Sequence, residues 1–241
     1  MSLRLATIVV EALDAQAQAR FWAQALEWQL AKESPSDRTA SISPADAYGV
    51  GLLFVSSTRP KTSKNRLHLD LAGGSGQVRR LLALGASRAD IGQGEVAWEV
   101  LADPEGNEFC VLPAADPEDR PAAICLDAAD PGAQGRFWTA VTGWPVVDEG
   151  DWGVRLRSVA GTAPALVMGP PVAPKTGRNR LRLALAPLPG EEISAEVSHL
   201  LDAGASPVDS GPDELPSQLL ADPEGNEFCI LKPQRPESSW P

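Results

Sequence analysis

The ten residues from Leu101 to Cys110, LADPEGNEFC, return without a change from Leu220 to Cys229. An identity this long within one chain marks a duplicated unit, and shorter matches keep the same order. RFW stands at Arg20 to Trp22 and again at Arg136 to Trp138, and NRL at Asn65 to Leu67 and Asn179 to Leu181. LGAS at Leu84 to Ser87 faces AGAS at Ala203 to Ser206. The period of roughly 115 residues is that of a domain, far beyond the repeat of a solenoid. The chain therefore divides into a first unit over 1–113, a linker over 114–121 rich in proline and charge, a second unit over 122–233 and a loose tail over 234–241.

Within each unit a second, fainter repetition is legible. Leu5 to Val10 is a β-branched apolar run, and Asp14 after it is placed to cap a helix carrying Phe21, Ala25 and Trp28 on one face. Ile124 to Asp127 followed by Asp130 and Pro131 opens the second unit in the same way. Short strands follow at Thr39 to Ser43, Gly51 to Val55, Gly153 to Arg157 and Ala165 to Met168. The theme then restarts. Arg66 to Leu71 alternates as a half-buried strand, Val78 to Leu84 carries helical spacing up to Gly85, and Val96 to Leu101 with Glu108 to Leu112 closes as a hairpin. Its turn, Asp103-Pro104-Glu105-Gly106, places Asp, Pro and Gly where a type I turn favours them. Each unit thus reads as strand, helix and strands, twice over.

Charge and composition narrow the partners. A formal net charge of -11 repels a phosphate backbone, and no basic stripe with interleaved aromatics offsets it, so nucleic acid is not expected. No apolar run approaches the ~18 residues needed to span a membrane, and no secretory pattern opens the chain, so a cytoplasmic protein is expected. Cys110, Cys125 and Cys229 are far apart and expected to stay reduced. No Ser-His-Asp elbow and no phosphate-binding glycine loop is present.

The helix start with RFW, the segments PKTSKNRLHLDL (Pro60 to Leu71) and PKTGRNRLRLAL (Pro174 to Leu185), and both DPEGNEF turns make the chain resemble the glyoxalase-like branch of the vicinal oxygen chelate superfamily, in two tandem units. The resemblance spans nearly the whole chain. It implies an α+β fold of four βαβββ modules forming two curved sheets, each with a cup inside and helices outside. It leaves the contents of the cups open, because the superfamily includes glyoxalases, dioxygenases, epimerases, thiol transferases and metal-free bleomycin-sequestering proteins.

Metal-using members of that superfamily carry a His on the first strand, a His or carboxylate on the strand opening the second module, and a Glu on the closing strand. Carried over residue by residue, the first position falls on Thr7 and Ala123, the second on His68 and Arg182, the third on Cys110 and Cys229. Three protein ligands are the usual catalytic zinc set, and this set is depleted. His68 with Cys110 is the remaining pair, so no cofactor is expected, or at most a divalent metal in the first unit. Strand alternation adds further cup candidates. Arg66, His68 and Asp70 share a face opposite Leu67, Leu69 and Leu71, as do Glu11 on the first strand and Glu108 with Cys110 on the hairpin. For the second unit the same rule groups Arg180 and Arg182 with Cys125, Asp127, Glu227 and Cys229, either as an internal ion-pair network or as a site for a charged ligand. Trp98 and Trp152 sit in strands that line the sheet, whereas Trp22, Trp28, Trp138 and Trp144 are expected in the core and His199 on a helix surface.

These residues give two expectations. One is a protein that binds a small molecule in its cups without a catalytic metal, in a sequestering or resistance role. The other is a metal-dependent lyase, isomerase or dioxygenase using His68 as ligand or general base. Either would be a monomer of two paired units or a homodimer.

Overall fold

The computed structural model describes residues 3–34, 38–45, 49–113, 121–161, 163–188, 193–209 and 217–231. Most of the linker expected over 114–121, and the whole of the tail expected over 234–241, lie outside the described residues. Four modules follow one another. The first holds β1 (Leu3–Ala12), α1 (Ala15–Leu26), β2 (Gln29–Ser34), β3 (Thr39–Ser43) and β4 (Gly51–Ser56). The second holds β5 (Leu67–Ala72), α2 (Gly74–Ala83), β6 (Ser87–Arg88), β7 (Glu99–Ala102) and β8 (Glu108–Leu112). The third holds β9 (Ala123–Asp127), α3 (Pro131–Thr142), β10 (Val146–Gly150), β11 (Gly153–Leu156) and β12 (Ala165–Gly169). The fourth holds β13 (Leu181–Pro187), α4 (Ile193–Asp202), β14 (Ser206–Pro207), β15 (Ser217–Ala221) and β16 (Glu227–Leu231).

The helix signals act as read. Asp14 accepts from Ala17 N and Asp130 from Ala133 N, so each satisfies a backbone donor that an N-terminal turn leaves unpaired. α1 ends earlier than the spacing suggests, because Glu27 turns left-handed at φ 59°, and Trp28 packs on the core from beyond the helix. Strands β2 and β10 are absent from the sequence reading; every residue of β10 is exposed, which leaves no alternation to detect.

The pairing of the modules departs from the expectation of one cup per unit. The first sheet runs β14-β15-β16-β13-β1-β4-β3-β2 and the second β10-β11-β12-β9-β5-β8-β7-β6. Each sheet therefore joins a module of one unit to a module of the other. The physical reason lies in the chain between β8 and β9. β8 lies parallel to β5 with Asp70 opposite Cys110, while β9 runs antiparallel on the other flank of β5 with Asp70 opposite Ala123. Crossing one strand takes about 10 Å, which ten residues of linker span easily. The third module is so delivered to the second, and the fourth closes on the first through β1 and β13, with Val9 opposite Arg182.

Behind the cups the alternate residues of the four central strands, among them Ile8, Leu69, Ile124 and Leu183, form one continuous core with α1 and α3. The repeated RFW and NEF motifs meet there. Trp22 stands edge-on to Phe21 and Phe109, and Trp138 to Phe137 and Phe228, with centroids 5.1 to 5.5 Å apart. Burial of such rings supplies about 2 to 3 kcal/mol each. The repeated sequence is thus first of all a packing motif. No helix among the described residues is long and apolar enough to cross a membrane.

Candidate functional site

The repeated DPEGN turns hold the units together. Gly106 and Gly225 adopt φ of 84° and 78°, a region that favours glycine, and let the chain reverse. Asp103 then accepts from the backbone N–H of Glu105 and Asn107, the Asn107 amide and Trp22 Nε1, and Asp222 accepts likewise from Glu224, Asn226 and the Asn226 amide. Burial pushes both carboxyls up, against those hydrogen bonds. The next acid reaches further. Glu105 accepts from the N–H of Leu13 and Asp14 and from Arg180 Nη2 at 2.9 Å, and Glu224 accepts from Ala129 and Asp130 and from Arg66 Nη2 at 3.1 Å. Arg180 of the second unit is bound to the first unit's turn, and Arg66 of the first to the second's. Glu108 takes Lys61 and the N–H of Asn65, and Glu227 takes Lys175 and the N–H of Asn179. Arg66, Arg180, Glu108 and Glu227 are therefore occupied in a symmetric internal network.

The floor of the first sheet brings together Glu11 from β1 and Arg182 from β13. Arg182 Nη1 lies 2.6 Å from Glu11 Oε1, and Arg59 Nη2 lies 2.5 Å from Oε2. Burial raises the Glu11 carboxyl, but the two guanidiniums outweigh it and hold the group below the usual carboxylate range. Val9, Ala184, Leu219 and Cys229 make the rest of that floor apolar. Thr7, Arg182 and Cys229 occupy the positions where a metal-using relative would have ligands, and a guanidinium already bound to the nearest carboxylate does not fit a cation site. The sequence grouping that placed Arg182 with Cys125 and Asp127 is corrected by the exchange of modules. Arg182 and Cys229 belong to the first sheet, Cys125 and Asp127 to the second.

The second cup is built differently. His68 and Asp70 from β5 face it beside Cys125 of β9 and Cys110 of β8. Asp127, the residue matching Glu11, is held by Lys64 at 2.8 Å and by the N–H of Ala173, so it leaves His68 alone. His68 Nε2 instead stands 3.5 Å from Asp70 Oδ1, too far for a well-made hydrogen bond. Oδ1 is buried and has no hydrogen-bond partner among the described residues. Burial raises the Asp70 carboxyl, yet His68 and the thiols of Cys125 and Cys110 more than offset this and hold it below its ordinary value. Burial, and after it the same carboxylate, push both thiols upward, so neither is poised as a thiolate. One strand separates Cys110 from Cys125, which places them beyond disulfide reach.

The donor atoms of His68, Asp70 and Cys125 lie within 4.8 Å of one another. The sequence reading confined a possible metal to the first unit and paired His68 with Cys110; here the third donor is Cys125 of the second unit, brought in by β9. Asp70 was legible as facing the cup and is the carboxylate that sequence positions alone did not count as a ligand. Arg155, also missed, pairs with Val167 and so shares the face of Cys125, and its guanidinium lies 5.5 Å from the Trp152 ring. Trp152 and Trp98 are both two-fifths exposed, near opposite wings of this sheet. Trp22, Trp28, Trp138 and Trp144 pack in or against the core, and His199 is exposed.

Two eight-stranded sheets, each built from a pair of βαβββ modules, are the architecture of the glyoxalase fold. The solved structure of glyoxalase I from Zea mays superposes over 96% of this chain and 92% of its own with a TM-score of 0.69 at 13% identity. A putative dioxygenase from Bacillus subtilis superposes over 96% and 86% with a TM-score of 0.59 at 15% identity. Identities this low establish the fold alone. The family model described as Glyoxalase-like domain matches residues 7–112 and 123–231, and the chain belongs to that family as two tandem copies. None of the curated proteins compared with it matches significantly.

Proposed function

We propose that this protein binds a small molecule in the second cup, where His68 and Asp70 form the polar floor, and that the first cup serves the structure. The observation that carries the reading is the buried Asp70 carboxylate oxygen, which has no hydrogen-bond partner among the described residues and stands 3.5 Å from His68. A buried acceptor of this kind costs free energy until a donor reaches it, which favours a ligand presenting an N–H, O–H or cationic group. Trp98 and Trp152 add flat apolar surface, and Arg155 a cation, which suits a planar ligand with an acidic edge. Binding needs no metal on this reading, in keeping with a sequestering role.

A second reading rests on the same donors. His68, Asp70 and Cys125 fit a borderline cation such as zinc in number and kind, and such an ion would supply Lewis acidity to a lyase, isomerase or dioxygenase of this fold. The Cys125 thiol must first give up a proton that burial and Asp70 hold in place. Screening a library of planar amines, phenols and carboxylates by tryptophan fluorescence, with and without chelator, tests both readings. Saturable binding that survives chelator and is lost in His68→Ala supports the first; binding that requires added zinc supports the second.

A further inference from the structure

Strand pairing in the second sheet sets a row of side chains across its cup face. His68 on β5 lies opposite Cys125 on β9, Cys125 opposite Val167 on β12, Val167 opposite Arg155 on β11, and Arg155 opposite Asp148 on β10. Opposed residues share a face, so the row turns to one side. The equivalent row of the first sheet reads Arg182, Val9, Leu53, Ser41 and Lys32. There a guanidinium stands on the central strand β13 and is bound to Glu11; in the second sheet it stands on the wing, where the first has Ser41.

We propose, resting on the reading of the second cup as a small-molecule site, that Arg155 selects the ligand's anionic end and that the ligand is an aromatic acid with a hydrogen-bond donor at the end away from its carboxylate. Arg155 is exposed, and its guanidinium lies 5.5 Å from the centre of the Trp152 ring. Among the described residues it makes no ion pair, and Asp148 opposite it is exposed as well. A contact over an indole ring uses none of the guanidinium N–H donors, which remain for a carboxylate in the bidentate arrangement. The charge is felt within the cup, since burial and Asp70 raise the Cys125 thiol and Arg155 acts against them.

The opposite end asks for a donor. Asp70 Oδ1 is buried without a hydrogen-bond partner among the described residues, and donor atoms of His68 and Cys125 lie within 4.8 Å of the carboxylate. Between the two ends the floor is apolar and made of small side chains: Ala123, Ala165 and Cys125 are buried there, with Val167 packed against them. Two strand spacings, about 10 Å, separate β9 from β11, a width that suits one aromatic ring with a substituent at each end. A ligand with a donor alone would leave Arg155 unused, and one with an acid alone would bring nothing to the Asp70 carboxylate.

The test titrates the full chain with 4-aminobenzoate and, separately, with 4-aminobenzamide, followed by ligand-observed NMR at constant ionic strength. The two share ring and amine, and only the first carries an anion. The expected result is saturable binding of 4-aminobenzoate, weakened about tenfold or more in Arg155→Gln, with the amide bound about tenfold more weakly by the wild type and indifferent to that change. Should Arg155→Gln fail to fold by circular dichroism, Arg155→Lys is read instead; it keeps the charge, loses the fork and should weaken binding several-fold. Equal binding of both compounds, unchanged in the Arg155 variant and lost in His68→Ala, overturns the role of Arg155 and leaves the cup reading standing. No saturable binding of 4-aminobenzoate overturns it too, and the library screen then decides the cup reading by itself. Binding lost in the Arg155 variant but fully kept in His68→Ala would set the anion outside the cup and overturn both.

Discussion

The two cups start from equivalent strands and end as different objects. In the first, Arg182 meets Glu11 and the neighbouring positions are Val9 and Ala184, so the charges cancel over an apolar floor. In the second, the matching residues are His68, Asp127, Cys125 and Asp70, and Lys64 draws Asp127 away. His68 and Asp70 are left facing each other across 3.5 Å. Three or four side chains on a common backbone thus separate a sealed floor from one with chemistry to offer. The lesson is that duplication keeps the frame, held by the DPEGN turns, while the floor is free to diverge.

The comparison breaks first on stability. Replacing Arg182 with Ala leaves buried Glu11 with the half-exposed Arg59 alone, and a loss of about 3 kcal/mol is expected in urea unfolding; His68→Ala, at a partly exposed site 3.5 Å from Asp70, should cost about 1 kcal/mol or less. Equal losses would mean that the cups are not built differently. Joint replacement by Glu11→Leu and Arg182→Met should restore most of the stability, because a buried pair is often no better than an apolar one.

The frame itself is tested by Asp103→Ala and Asp222→Ala. Asp103 accepts from Trp22 Nε1, whereas Trp138 Nε1 has no partner among the described residues. Each variant strands several buried donors, so thermal unfolding should show a loss of about 2 to 3 kcal/mol for Asp103 and less for Asp222. A larger loss at Asp222 would contradict the difference between the copies.

A smaller effect sharpens the account of the second cup through pH. The Asp70 carboxyl is held below its ordinary value of 3.8, so its charged form contributes stability that is fully present above that value and lost as pH falls through the lower folded value. Unfolding midpoints of the wild type and Asp70→Asn should therefore converge as the medium becomes acid. Asp103 and Asp222, raised by burial, act with the opposite sign and should be present in both proteins alike. If the gap widens in acid, Asp70 is not stabilised as an anion. The smallest effect is kinetic: Cys110 and Cys125, pushed upward, should react with iodoacetamide near neutral pH far more slowly in the folded protein than in urea.

Much of the frame was legible in the chain. Asp14 and Asp130 cap their helices, the turn from Asp103 to Gly106 reverses as its residues require, and Leu67, Leu69 and Leu71 turn to the core because strand alternation leaves no other arrangement. The exchange of modules was not legible. It depends on which flank of β5 the linker delivers β9 to, a matter of chain reach that local pattern does not encode. The site suffered for the same reason: Cys125 joins His68 only once β9 lies beside β5. Arg66 and Arg180 carried the right charge for a ligand, but their partners Glu105 and Glu224 lie in the opposite unit, where spacing along one repeat gives no hint of them.

The central claim is that one cup works and the other holds the structure. It is tested most directly by titrating one ligand from the tryptophan-fluorescence screen into the wild type, His68→Ala and the Glu11→Leu with Arg182→Met double variant. Binding abolished by the His68 change and retained by the double variant is the predicted result. Binding retained without His68 and lost from the double variant would place the ligand in the first cup and contradict the account.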